Sequence, residues 1–179
     1  FPYPTLFRYQ GEGDSGAIGV DGRQEKTETI KFRKLVWGFI KPKYRVITDQ
    51  DSEALAEYLR RIKPGNASVV LEVHFDSYDG KASGSTSLYK DGANRGTVIF
   101  AAELSQLTAS TLGIPNRGAK SEKDSARGRL GLVHEEGITA LLEVCFIDNP
   151  EDMAAYDLNV ARLAEGVAGL LMKYDDLIK

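Results

Sequence analysis

Hydrophobic and polar positions repeat along the chain with two different periods. In "ASVVLEVHFDS", Val69, Leu71, Val73 and Phe75 share one side, while Val70, Glu72, His74 and Asp76 share the other, which is the period of a strand. In "DSEALAEYLRRI", Leu55, Tyr58, Leu59 and Ile62 recur at helical spacing, and Asp51 or Ser52 offers a cap. "TLFRY" and "YRVIT" read as short strands and "RQEKTETIKFRKLVWGFI" as a helix. "TVIFAAELSQLTASTLG" predicts a helix stopped by Gly113, with Pro115 beyond it. "GRLGLVH" reads as a strand, and "TALLEVCFID" is the near-continuous apolar run of a strand buried on both faces. "NPEDMAAY" predicts a short helix. A last helix, "NVARLAEGVAGLLMKY", carries Val160, Leu163, Ala164, Val167 and Leu171 on one stripe.

Alternation of this kind predicts an α/β fold, a mostly parallel central sheet flanked by helices, as one domain spanning 1–179. Ligands in such sheets sit beyond the carboxyl ends of the strands, so polar residues there are the candidates for chemistry.

Composition narrows the picture only a little. At 179 residues, with 42% hydrophobic and 27% charged residues, the chain has the material for one well-packed core. A net charge of -3 argues against a nucleic-acid partner. No segment approaches the roughly 20 apolar residues of a membrane span, no secretory signal is visible, and Cys145, the single cysteine, has no partner for an internal disulfide.

"QGEGDSGAIG" contains Gly11, Gly13 and Gly16 in a G-x-G-x-x-G spacing. A dinucleotide fingerprint starts its helix within the glycines. Here "AIGVDG" intervenes, Glu12 and Asp14 would repel a pyrophosphate, and no acid stands at the required offset. The turn therefore calls for other chemistry.

Glu143 interrupts the apolar run "ALLEVCF", and Glu72 and His74 interrupt the strand before it. A buried carboxylate is costly unless paired. Glu143 is thus either the partner of a cation such as Arg127 or Arg129, or a working group. His74 is either a hydrogen-bonded core histidine or a ligand. Glu25 follows the glycine turn, and all three can meet at one sheet edge. One histidine with carboxylates is part of a zinc site, and a separate carboxylate would serve as general base.

These residues, in this order, resemble the catalytic domain of zinc-dependent N-acetylmuramoyl-L-alanine amidases of bacterial autolysins and phage endolysins. "QGEGDSGAIGVDGRQE" supplies Gly11, Asp14, Gly16, Ala17 and Glu25 of the family's opening turn. "EVHFDS" supplies His74, and "LLEVCFIDNPED" supplies Glu143 in the late motif. "LGIPNRGAK" is similar to a middle segment of some phage members. The resemblance implies a phosphorylase/hydrolase-like sheet, a zinc ion held by Glu25 and His74, and Glu143 as general base. It implies hydrolysis of the amide between N-acetylmuramic acid and the first L-Ala of the stem peptide. It further implies peptidoglycan as partner, with no nucleic acid and no membrane, action at the cell wall, and a monomer. Where the family places its first histidine ligand, this chain has Gln10, whose amide oxygen is a harder, weaker donor to zinc than imidazole. Asp14 is an alternative oxygen donor, and a metal-free module that binds cell wall without hydrolysis is the alternative function.

Five further readings follow from position. His134, beside Glu135 and Glu136, is expected to be a solvated residue outside the site. Cys145 shares a side with Glu143 by alternation but has the apolar surroundings of a buried structural thiol. Asp76 and Ser77 are placed to orient the imidazole of His74, and Tyr89 either flanks the groove or packs at its edge. The basic stretch "RGAKSEKDSARGR" is a solvated loop or a cleft wall that meets carboxylates of the stem peptide.

Overall fold

The computed structural model describes residues 5–8, 16–50, 55–61, 63–125 and 129–178. Gln10, Asp14, the two capping candidates Asp51 and Ser52, and Arg127 lie outside the described residues. Six strands form one sheet: β1 (Thr5–Arg8), β2 (Val46–Thr48), β3 (Val69–Asp76), β4 (Ser85–Tyr89), β5 (Asn116–Ser121) and β6 (Ile138–Phe146). Their order across the sheet is β2-β1-β3-β6-β4-β5. β2, β1, β3 and β6 run parallel, β4 is antiparallel to β6, and β5 is parallel to β4. The helices are α1 (Glu25–Phe39), α2 (Leu55–Arg61), α3 (Arg95–Leu112) and α4 (Pro150–Leu177).

Apolar side chains pack against both faces of the sheet. Val69, Leu71, Val73 and Phe75 of β3 and Ala140, Leu142 and Val144 of β6 meet Phe32 of α1, Phe100 and Leu104 of α3, and Tyr156, Leu163 and Val167 of α4 in the main core. Among the described residues the opposite face carries two further clusters, Tyr58 with Val70 and Leu132, and Leu88 with Leu130, Val133 and Leu141.

Three expectations change. "GRLGLVH" is not a strand: Leu132–His134 form a single 3-10 turn, whose apolar side chains are buried in the two small clusters. The two predicted C-terminal helices are one, 28 residues long. Asn149 caps it by accepting from the N–H groups of Glu151 and Asp152, Pro150 opens it, and the polar Asp157 and Asn159 simply occupy its outer side. β4 and β5 lie in segments with no apolar alternation.

One irregularity bears directly on the site. His74 pairs with Glu143, but Asp76 pairs with Phe146, so β6 carries one extra residue between the two pairs. Such a bulge resets the alternation. Cys145 therefore leaves the side of Glu143, contrary to simple alternation, and enters the main core 3.8 Å from the Met153 sulfur. Burial pushes its thiol pKa well up, as expected of a structural thiol.

Candidate active site

Residues 16–24 fold as a tight turn, with an antiparallel bridge between Ile18 and Gln24 and the Gly19 N–H donating to Arg23 O. Gly19 is required by space: a Cβ there would stand 2.6 Å from the Ile147 carbonyl oxygen. Arg23 ties the turn to α4 through two 2.9 Å bonds to the carboxylate of Asp157. The helix begins only after this turn, at Glu25, and no phosphate cradle is formed by Gly16 and the residues that follow it.

Glu25 is buried and its carboxylate is held at several points. Oε2 accepts from the Ala17 N–H at 2.9 Å, and Oε1 accepts from the Phe75 N–H at 3.1 Å. The same Oε1 lies 2.8 Å from Nδ1 of His74. The other ring nitrogen of His74, Nε2, lies 3.0 Å from Oε1 of Glu72. Glu143, the register partner of His74 on β6, is buried beside it. The structure thus brings Glu25, His74 and Glu143 together at the carboxyl ends of the two central parallel strands, where an open α/β sheet places its ligands.

Charge in this cluster is strongly coupled. Burial alone would lower the pKa of His74, but hydrogen bonds to Glu25 and Glu72 and the fields of Glu72 and Glu143 raise it to about 10. Burial works to raise that of Glu25, and the bond to His74 with the two backbone donors outweighs it, so the net shift is down. The donor chemistry suits part of a zinc site. An imidazole nitrogen and a carboxylate oxygen lie side by side, 2.8 Å apart, and a second carboxylate holds the remote ring nitrogen, the arrangement that fixes the tautomer of a ligating histidine. Among the described residues, no three His, Cys, Asp or Glu side chains group as a complete metal site.

Next to Glu143 is a cavity of about 190 Å³, lined also by Asp76, Thr86, Arg117 and Lys120. Thr86 is the register partner of Glu143 on β4, and the Ser85 hydroxyl donates to the Glu143 carbonyl oxygen at 2.9 Å. The late motif "DNPED" builds the frame around this cavity. Asp148 accepts from the N–H groups of Tyr78 and Gly80, Asn149 donates to the carbonyls of Lys81 and Ala82, and Asp152 accepts from Ser83, Gly84 and Phe146.

Other candidates fall elsewhere. The ring of His74 is held by Glu25 and Glu72, and Asp76 instead accepts from the Ser77 N–H and lines the cavity. His134 is not merely solvated, since its Nε2 lies 2.7 Å from Glu122, well apart in sequence from Glu135 and Glu136. Arg129 is exposed, and Tyr89 packs against the main core. Glu72 as partner of His74 was not assigned a role from sequence, although two-residue spacing on a strand was the available signal.

The sequence model of the family described as Amidase_3, N-acetylmuramoyl-L-alanine amidase, matches residues 10–171. The chain belongs to that family and is an enzyme of that class. Among solved structures, the catalytic domain of CwlV from Bacillus (Paenibacillus) polymyxa var. colistinus superposes with a TM-score of 0.77 at 22% identity, covering 99% of both chains. AmiC2 of Nostoc punctiforme gives 0.76 at 22% identity, covering 97% of each. The catalytic domain of the CD27L endolysin, which targets Clostridia difficile, gives 0.71 at 20% identity, covering 95% of this chain and 96% of that one. At these identities the superpositions establish a shared fold. No curated protein matches the chain by sequence.

Proposed function

We propose that the chain hydrolyses the amide joining N-acetylmuramic acid to L-Ala of the peptidoglycan stem peptide at the bacterial cell wall, with Glu25 and His74 as zinc ligands and Glu143 as general base. The observation that carries this reading is the convergence of Glu25, His74 and Glu143 at the ends of β3 and β6. Zinc held there would polarise the scissile carbonyl and lower the pKa of a water. Gln10 would supply a third donor through its amide oxygen, and affinity for the ion would then be lower than with imidazole.

The chain's own groups have distinct tasks. Glu72 holds the His74 ring through Nε2, and Nδ1, which shares a proton with Glu25, would turn its lone pair to the ion once that proton is displaced. The backbone N–H groups of Ala17 and Phe75 fix the carboxylate of Glu25. Glu143 takes a proton from the attacking water and delivers it to the departing amine nitrogen of L-Ala. General acid–base catalysis of this kind contributes about 10²–10⁴-fold, so Glu143→Gln should lose at least that much activity.

A second reading is a metal-free module that binds wall without hydrolysis. It is favoured by the two carboxylates on the ring of His74, which let a proton take the place of a metal. Elemental analysis separates the two: one zinc per chain, with zinc-dependent release of stem peptides from sacculi, supports the amidase, whereas pull-down by sacculi without zinc or release supports the binding module. Gln10→His should tighten zinc binding, and an unchanged affinity counts against Gln10 as a ligand.

A further inference from the structure

The cavity beside Glu143 is walled on one side by β5, where a second bulge occurs. Ser85 pairs with Asn116 but Thr86 pairs with Gly118, which leaves Arg117 as the extra residue. Gly118 takes a φ of +81° to close the bulge. The bulge re-aims Arg117 out of the strand's alternation and over the site. Its guanidinium lies 5.1 Å from the centre of the Phe146 ring, and Nη1 approaches the Ser83 carbonyl at 3.4 Å. Its stem fills the space left by Gly84, where a Cβ would lie 3.0 Å from the Arg117 Cγ. Lys120, two residues past Gly118, lines the same cavity.

Asp76, Asp124 and Glu143 line the same space, and neither Arg117 nor Lys120 is among the ion pairs of the described residues. Two cations thus stand on the β5 side of a cavity whose other walls carry acids. At about 190 Å³ the cavity takes one short polar group and no whole ligand. A planar guanidinium fork beside an ammonium suits a carboxylate.

We propose that Arg117 and Lys120 form a subsite for a free carboxylate of the stem peptide, adjoining the cleaved amide. The inference rests on the amidase reading above. The muramyl lactyl carboxyl is consumed in the scissile amide and the sugars are neutral, so an acid near the reacting bond belongs to the peptide. The subsite sets the leaving peptide on the β5 side of Glu143 and the glycan on the other.

The test compares N-acetylmuramoyl-L-alanyl-D-glutamic acid γ-methylamide, whose one free carboxylate is the α, with its α-carboxamide counterpart, N-acetylmuramoyl-L-alanyl-D-isoglutamine γ-methylamide. Binding to the Glu143→Gln protein is read by calorimetry, so no turnover is needed. The free acid should bind about tenfold tighter, as a charge-assisted pair implies. Arg117→Met and Lys120→Met, each added to Glu143→Gln, should erase most of that preference while leaving the carboxamide's affinity in place, and Arg117→Lys should restore part of it. Equal affinity for the two peptides, no measurable binding of either, or equal losses for both in the variants overturns the subsite. Hydrolysis by the wild-type protein is scored separately: its absence would overturn the amidase reading, while a retained acid preference would leave the subsite standing.

Discussion

Asp152 offers the sharpest test of how the late motif supports the site. Its buried carboxylate accepts three hydrogen bonds: from the Ser83 hydroxyl at 2.6 Å on Oδ1, and from the N–H groups of Gly84 and Phe146, each at 3.0 Å, on Oδ2. These bonds fasten the loop between β3 and β4, and the end of β6, to the first turn of α4. Asp152→Ala removes all three and leaves two backbone donors buried without acceptors. At roughly 1–3 kcal/mol per orphaned group, the loss is about 3–5 kcal/mol. Asp152→Asn keeps the pattern, because the amide oxygen can accept from both N–H groups while the NH₂ donates to the Ser83 hydroxyl, and only the charge assistance goes, about 1 kcal/mol. Thermal unfolding followed by circular dichroism should show Ala melting about 10 °C below wild type and Asn within about 4 °C of it. Activity on sacculi, measured below both melting transitions, should fall further in Ala than in Asn, because the loop leads into β4 and Thr86 stands beside Glu143. Equal melting of Ala and Asn would refute the hydrogen-bond account, and a wild-type Ala variant would refute the frame altogether.

Three other expectations follow from particular contacts. In metal-free protein His74 keeps its proton to about pH 10, whereas in the unfolded chain it releases it near 6.5; stability is full below about pH 6.5 and falls as pH rises toward 10, a slope that Glu72→Gln should reduce in urea titrations and His74→Gln should remove. Gly137 has a φ of +100° and a Cβ there would lie 2.2 Å from the Ser68 carbonyl oxygen, so Gly137→Ala should cost about 3 kcal/mol or more, read as a lower urea midpoint. Cys145 should resist thiol reagents in the native protein and react once denaturant opens the core.

The parts legible in the sequence were those whose burial leaves a pattern. β3 alternates, β6 is apolar throughout, and the helical stripe of α4 is unbroken over its apolar half. β4 and β5 left none. β4 buries Ser85 and Ser87, and Ser85 is satisfied by the Glu143 carbonyl oxygen, so its composition mimics a loop. β5 is an edge strand bent by Gly118, and its charged residues face the cleft. "GRLGLVH" misled in the opposite direction, because a loop that covers one face of the sheet also buries Leu130, Leu132 and Val133.

The candidate site was legible in the same uneven way. His74 and Glu143 could be named because polar residues in an apolar run have few explanations, and Glu25 because it follows the glycine turn in the order the family resemblance implies. Glu72 could be seen to share a side with His74, yet its bond to Nε2 depends on a rotamer that spacing does not encode. The two bulges were invisible, since each depends on how neighbouring strands register. They take Cys145 away from Glu143 and bring Arg117 over the cleft.

The central claim is that Glu143, beside Glu25 and His74, drives hydrolysis of the muramyl–L-Ala amide. It is tested most directly by mass spectrometry of purified sacculi digested with zinc-supplemented protein. The account predicts new L-Ala amino termini and free lactyl carboxyls with the wild-type chain, and neither with a Glu143→Gln variant of equal zinc content and melting temperature. A folded, zinc-loaded wild-type chain that releases no stem peptide, or a Glu143→Gln variant that cleaves at the wild-type rate, would contradict it.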